Sequence, residues 1–344
     1  MIRFECDYAE GAHERIIKRL VETNLEQTPG YGKDEYCEKA RKVILDLCKN
    51  ESAEVHFLVG GTQTNATVIS ATLRPHQGVI SADTGHINGH ESGAIEATGH
   101  KVLAIDNVDG KISAEQVERV YQQHWNDSAH EHLVQPGMVY ISHPTETGML
   151  YSKQELEALS KVCRKYSLPL FLDGARLGYA LASEKSDVTL SDLANLCDVF
   201  YIGGTKVGAL FGEAVVITHP MIKKDFRYFI KQKGGMLAKG RLLGIQFETL
   251  FEDGLYLSIA KHAVDLALEI KKAFQEKGCT FLYDSNTNQQ FPILNNNIIV
   301  KLSAKYSFQE WEKIDNHYTA VRFCTSWATK EEDVKMLTQD IINL

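Results

Sequence analysis

Lys206 lies in the stretch Thr205-Lys206-Val207-Gly208, between the apolar segments DVFYIGG and EAVVI, where burying an ammonium group is expensive. Desolvation lowers a lysine pKa and leaves a fraction of the amine neutral, and a neutral amine attacks an aldehyde. Asp173 closes the apolar run PLFLD 33 residues earlier. That is the length of one strand–helix–strand unit, so the two groups fall at matching ends of parallel strands, where open α/β sheets collect ligands. A carboxylate at such a position needs a cation or a donor, from the protein or from a ligand, and Arg176 in DGAR is one candidate. Gly60-Gly61-Thr62 follow the strand VHFLV and precede a helix that starts near Gln63. Free N–H groups at that helix start suit a phosphate, although the same junction also serves as a plain tight turn. The spacing is neither that of a nucleotide P-loop nor G-x-G-x-x-G. Thr205 offers a hydroxyl to the same anion.

A phosphate cradle, a strand-end acid and an aldehyde-binding amine together meet the needs of pyridoxal phosphate. The lysine binds the aldehyde, and the aspartate keeps the pyridine nitrogen protonated so that the ring accepts carbanion electrons.

The elements that must position these groups alternate between residues 34 and 240. Strands are expected at VHFLV, GVISA, KVLAI, MVYIS, LPLFLD, DVFYIGG and EAVVI, with amphipathic helices between them, the pattern of a mainly parallel sheet covered by helices. Ser152 and Glu155 form a capping box for one of those helices. After Gly240 a long helical region runs to Gly278 as C-cap, with Val264, Leu268 and Phe274 near helical spacing. Short strands CTFLYD and NNIIVKLS, then HYTAVRFCTSW and a closing helix, make a smaller α+β domain. The expected division is an N-terminal arm over 1–15, a large α/β domain over 16–245 and a small C-terminal domain over 246–344.

Bulk properties narrow the partners. A net charge of −8 and the absence of any Lys/Arg block argue against an extended nucleic-acid surface. No apolar run reaches membrane-spanning length. Acids and a histidine near the N-terminus fit neither a signal nor a transit peptide. Seven scattered cysteines without a C-x-x-C pair fit a reducing, cytoplasmic setting.

The segments FLVGGTQTN, ADTGHINGHESGAIEATGHKV, LDGARLGYAL and the lysine preceded by threonine resemble the low-specificity threonine aldolases of the β-eliminating lyase group, over essentially the whole chain. The resemblance implies the PLP-dependent transferase-like fold (fold type I), a large domain with a seven-stranded sheet, and cleavage of L-threonine or L-allo-threonine to glycine and acetaldehyde. It makes Lys206 the Schiff-base lysine, Asp173 the partner of the pyridine nitrogen, and Gly60, Gly61, Thr62, Ala175 and Thr205 neighbours of the cofactor. His86 would stack on its ring. Arg322 in AVRFCTSW is the implied arginine for the substrate carboxylate, with Arg176 a second candidate and Cys6 assigned beside them. Family sites form between subunits, so a homo-oligomer, dimer or tetramer, is implied, with Tyr31 and Lys239 reaching a neighbour's cofactor. Where many relatives read E-N-T-H-N this chain has ISHPTETG, so the family histidine falls on Thr145 and its role does not pass to His143. His86 is then the first choice for the base, with Glu146 or a bound water behind it.

His86, His90 and Glu91 have helical metal-ligand spacing, yet no third ligand segment accompanies them, and no metal is expected. His130-Glu131-His132 lies in a polar stretch and reads as solvated loop. Two rival classes remain: another PLP chemistry, elimination or transamination, and a non-catalytic α/β binding protein that would need no buried lysine.

Overall fold

A computed structural model describes residues 1–344. A two-residue strand, β1 (Ile2–Arg3), opens the chain. The central sheet is built from β2 (Glu54–Leu58), β3 (Gln77–Ala82), β4 (Val102–Ile105), β5 (Gln135–Ser142), β6 (Leu170–Asp173), β7 (Val199–Gly203) and β8 (Glu213–Ile217). All seven expected strands are present, in the order β2-β8-β7-β6-β5-β3-β4. Neighbours from β4 to β7 pair in parallel, whereas β8 runs antiparallel to both β7 and β2. Strands β6, β7 and β8 are buried along their whole length, because helices cover both faces of the sheet. One apolar core lies on each side: Leu172, Ile202 and Phe247 belong to the first, Phe171, Tyr201 and Ile69 to the second.

The parallel arrangement carries the carboxyl ends of β5, β6 and β7 to one edge. Ser142 and Asp173 are register partners at the ends of β5 and β6. Just beyond, the chain turns Gly174 and Gly203 into each other, with the Gly203 N–H donating to the Gly174 carbonyl at 2.9 Å. A Cβ on Gly174 would meet the Tyr201 carbonyl oxygen at 1.9 Å and one on Gly203 the Ala175 carbonyl oxygen at 2.2 Å. Glycine at both positions is therefore what lets the Asp173 strand and the Lys206 turn lie this close.

The smaller C-terminal domain carries β9 (Gln289–Gln290), β10 (Ile293–Asn295), β11 (Tyr306–Ser307), β12 (Gln309–Lys313) and β13 (Tyr318–Cys324). Strand β13 is its centre, antiparallel to β10, β12 and β9. The long helical region is two helices, Arg241–Phe251 and Leu255–Glu276, because Asp253 and Gly254 take left-handed backbone at φ 55° and 72°. The second helix serves two cores: Val264 packs with the large-domain residues, and Ile270 and Phe274 with the small-domain ones. Gly278 follows its end at φ 75°, as its C-cap role requires. The Ser152–Glu155 capping box is also formed.

Two expected strands differ. NNIIVKLS is the helix Asn296–Ser303, where the Asn295 side chain accepts from the Asn297 N–H and Ile299 and Leu302, three apart, face the core. Local capping and the three-residue spacing outweigh the β-branched composition. CTFLYD makes only an isolated bridge, Phe281 to Pro292. His130–His132 is a short 3-10 turn rather than open loop. The N-terminal segment is stitched to the small domain through β1 against β11 and through Phe4, whose backbone pairs with Ser307 and Cys324 and whose ring is buried. Its next residues cross to the sheet edge that holds the site.

Candidate functional site

At the carboxyl ends of β5, β6 and β7 a cavity of about 190 Å³ opens. Its wall brings together most of the residues singled out from the sequence: Gly60, Gly61 and Thr62 on one side, Asp173, Ala175 and Arg176 on a second, Thr205 and Lys206 on a third, and His86 and Glu146 above. A second cavity of about 260 Å³ shares His86, Glu146, Arg176 and Lys206 with the first and continues to Arg322, Trp311 and Tyr8. Lys206 thus borders both chambers.

Asp173 is buried and its carboxylate is surrounded by donors. Oδ1 accepts from the Tyr201 hydroxyl at 2.5 Å and the Ala175 N–H at 3.0 Å; Oδ2 accepts from the Tyr140 hydroxyl at 2.6 Å and the Asn65 amide at 3.1 Å. Burial alone would raise its pKa, but the His86 charge and these donors outweigh burial and hold it below the usual value. Asp173 is therefore ionised at neutral pH. Arg176, the expected partner, lines the same wall but pairs with another acid: its Nε and Nη2 donate to Asp7 at 2.6 and 2.9 Å, and Asp173 meets two hydroxyls, an amide and a backbone N–H instead. An aspartate from the N-terminal segment, remote in sequence, competes for the guanidinium with ideal bidentate geometry.

Lys206 has its pKa pushed down, chiefly by burial and then by the Arg176 charge, against the pull of Asp7, Asp173 and Glu213. An amine in that setting gives up its proton more readily than a surface lysine.

The helix Gly61–Thr72 starts at the cavity with Gly60 as an uncapped N-cap, so its first N–H groups face the space between Thr62 and Thr205. It begins two residues before the expected Gln63. The wall there also contains Glu213, the first residue of β8, which the sequence reading did not single out. Glu213 accepts from the Thr205 hydroxyl at 2.8 Å and the Gly204 N–H at 3.2 Å. Burial nevertheless drives its pKa up to about 8. An acid opening the apolar run EAVVI is the same signal that drew attention to Asp173.

His86 heads a single helical turn, His86–Gly89. Its Nδ1 lies 2.7 Å from Glu91 Oε1, an oxygen that also accepts from the Asn65 amide at 2.7 Å, so the imidazole is the donor in that contact. Burial lowers the His86 pKa, but the Glu91 hydrogen bond and the Asp173 charge more than reverse this, and the net direction is upward. Asn65, missed from sequence, and Glu91, noted there only for its metal-ligand spacing, thus link the His86 ring to Asp173. Glu146 is half-buried; its Oε1 accepts from the Ser142 hydroxyl at 2.6 Å and the His86 N–H at 2.9 Å. Burial and, further, the Asp173 charge keep its pKa high despite the Ser142 hydrogen bond.

Arg322 projects from β13 into the second chamber, bonded to Gln289 Oε1 at 3.0 Å and the Glu5 carbonyl at 2.9 Å, with its guanidinium 5.4 Å from the Trp311 ring centre. Cys6 lines neither chamber, although its neighbours Glu5 and Asp7 hold the two arginines. His143 is buried behind the wall, where burial drops its pKa to about 4. Tyr31 and Lys239 stand outside both cavities, at the surface, where the Lys231 ammonium lies over the Tyr31 ring.

Comparison with known proteins agrees with this geometry. Residues 7–297 match the family described as beta-eliminating lyase. A low specificity L-threonine aldolase from a Pseudomonas strain is 28% identical, over 98% of this chain and 96% of its own length. The solved structure of a Leishmania major threonine aldolase is 43% identical and superposes over 100% of this chain and 99% of its own with a TM-score of 0.97. Aspartate aminotransferase from Thermus thermophilus, 13% identical, covers 100% of this chain and 91% of its own at a TM-score of 0.72, which shows a shared fold, the fold type I architecture. On these grounds the chain belongs to the beta-eliminating lyase family.

Proposed function

We propose that the protein is a pyridoxal 5'-phosphate-dependent carbon–carbon lyase that cleaves L-threonine and L-allo-threonine to glycine and acetaldehyde. The observation that carries the reading is the facing pair in one cavity: Asp173, ionised and ringed by four donors, and Lys206, an amine with a lowered pKa. The relatives named threonine aldolase support the choice of substrate.

The residues present fit the cofactor. A buried carboxylate facing a cavity suits a protonated pyridine nitrogen, and the uncapped helix start at Gly61, with Thr62 and Thr205, suits a phosphate. A Cβ on Gly61 would come within 3.2 Å of the Tyr201 hydroxyl and press on the side chain that donates to Asp173. Lys206 would hold the aldehyde and Ala175 would border the ring. When bound, the cofactor supplies an electron sink for the pair left on the substrate α-carbon. The chain's own residues then bind and orient. Arg322, and Arg176 through the Nη1 that Asp7 leaves unengaged, hold the substrate carboxylate at the mouth shared by the two chambers. That grip turns the Cα–Cβ bond for cleavage. His86, oriented by Glu91 and by its N–H to Glu146, would cover the cofactor ring.

Cleavage is one of three outcomes of a direct test. With pyridoxal phosphate and L-threonine the expected products are glycine and acetaldehyde. An oxo acid with ammonia, or with amino transfer, would move the activity to elimination or transamination; no cofactor binding at all would leave only a ligand-binding α/β protein.

The same reading includes a homo-oligomer, dimer or tetramer, in which Tyr31 and Lys239 reach a neighbour's site. Its support is the exposed aromatic and basic surface of Tyr31, Tyr228 and Lys231. It also includes a cytoplasmic location, supported by seven unpaired cysteines, five of them buried. No helix is long and apolar enough to cross a membrane. Arm 1–15, large domain 16–245 and small domain 246–344 complete the proposed organisation.

A further inference from the structure

The retro-aldol step needs a group that takes the β-hydroxyl proton, and two acid–base groups nearest the substrate chamber, His86 and Glu146, each have one side-chain atom committed to another residue. His86 donates from Nδ1 to Glu91, which fixes its ring. Glu146 has Oε1 committed to Ser142 and to the His86 N–H. A third group has no side-chain atom committed. His90, four residues after His86 on the same turn, lines the chamber that contains Lys206, Arg176 and Arg322. Its ring centre is 5.8 Å from that of His86, and no hydrogen bond engages either of its nitrogens.

We infer that His90 is the catalytic base of the cleavage, accepting the β-hydroxyl proton of the substrate whose carboxylate Arg322 and Arg176 hold. The inference rests on the aldolase reading above. The bookkeeping closes within the chamber: a His90 ring nitrogen takes the hydroxyl proton, the O–H pair becomes the carbonyl bond of acetaldehyde, and the Cα–Cβ bond breaks. Its electron pair stays on the α-carbon, and a proton returned to that carbon gives glycine.

The surroundings suit a neutral imidazole. Burial and then the positive fields of His86 and Arg322 push the His90 pKa below its ordinary 6.5. The other groups facing it across the chamber are Lys206 after β7, Arg176 after β6, Glu146 after β5 and Tyr8 from the N-terminal segment. Cations outnumber the one carboxyl, so His90 is an acceptor at neutral pH. This position also explains how the chain manages with Thr145 where relatives carry a histidine.

The test separates cleavage from the rest of the site. In holoenzyme, exchange of the glycine α-proton needs the cofactor site and carboxylate grip but no β-hydroxyl base. His90→Ala should lower L-threonine cleavage by about 10²-fold or more while leaving glycine exchange within about threefold. The acidic limb of the cleavage–pH profile should disappear, and added imidazole should restore cleavage at least about tenfold. In cofactor-free protein, an NMR titration should place the His90 ring below 6.5. If His90→Ala folds poorly, His90→Asn carries the same comparison. Cleavage within about threefold of wild type, an equal fall in both reactions, or loss of the acidic limb in Glu146→Gln with His90 intact would overturn the inference. Failure of the aldolase reading itself looks different: the wild-type holoenzyme then yields no glycine from threonine.

Discussion

Asp7→Asn tests how the N-terminal segment supports the site. Asp7 is fully buried and takes three charge-assisted or amide hydrogen bonds, from Arg176 Nε at 2.6 Å, Arg176 Nη2 at 2.9 Å and Asn288 at 2.9 Å. Burial acts to raise its pKa, but the charges of Arg176 and Lys206 bring it from 3.8 down to about 2. At about 1.4 kcal/mol per pKa unit that preference contributes about 2 kcal/mol to folding at neutral pH. Replacing the carboxylate leaves the Arg176 charge buried without its partner, which raises the expected loss to about 3–5 kcal/mol. The sign with pH follows from the lowered pKa: the contribution is complete above 3.8 and fades as pH falls toward 2. Urea unfolding of cofactor-free wild type and variant at fixed protein concentration should show the full gap at pH 7 and a smaller one near pH 2.5. A loss under about 1 kcal/mol at pH 7, or a gap that ignores pH, would refute the role given to this pair.

Three further changes probe the site. Asp173→Asn should lower kcat for threonine cleavage by about 10²–10³-fold while the cofactor remains bound, measured by steady-state kinetics beside the absorbance of the bound cofactor; activity within about tenfold of wild type contradicts the ring-nitrogen role. Glu213 is held at about 8 against an ordinary 4.5, so the folded chain loses stability as pH rises through that interval. Glu213→Gln should cut the difference in Tm of cofactor-free protein between pH 5 and pH 9 by about half or more, read by differential scanning calorimetry; an unchanged slope counts against a buried, protonatable Glu213. Gly174→Ala would place a Cβ 1.9 Å from the Tyr201 carbonyl oxygen. It should cost about 4 kcal/mol or abolish folding, and a wild-type Tm would show that the strand ends yield more easily than their contact distance implies.

How far the sequence could lead is clearest residue by residue. The seven strands were readable because each is a short, mostly apolar run bounded by glycine or polar residues, and the parallel arrangement followed from the helices between them. Lys206 and Asp173 were legible because a charge inside such a run has no cheap alternative to a partner. The helix Asn296–Ser303 was not, since an eight-residue apolar segment fits either periodicity and the deciding cap, Asn295, acts through local geometry. Asp7 as the partner of Arg176 was also hidden: 169 residues separate them, and only the tertiary path of the N-terminal segment brings them together. Asn65, and the bond it makes to a Glu91 noted only for its metal-ligand spacing, escaped for the same reason. The two residues join two elements through side chains whose types, an amide on a helix and an acid after a glycine-rich turn, are ordinary on their own.

The central claim is that Lys206 carries the cofactor, and its most direct measurement is borohydride reduction of the protein with pyridoxal phosphate, followed by mass mapping of the fixed label and assay of threonine cleavage. The expected result is one label on Lys206, with cleavage lost in proportion to labelling. A label confined to another lysine, or none at all, in a protein that still turns threonine into glycine would contradict it.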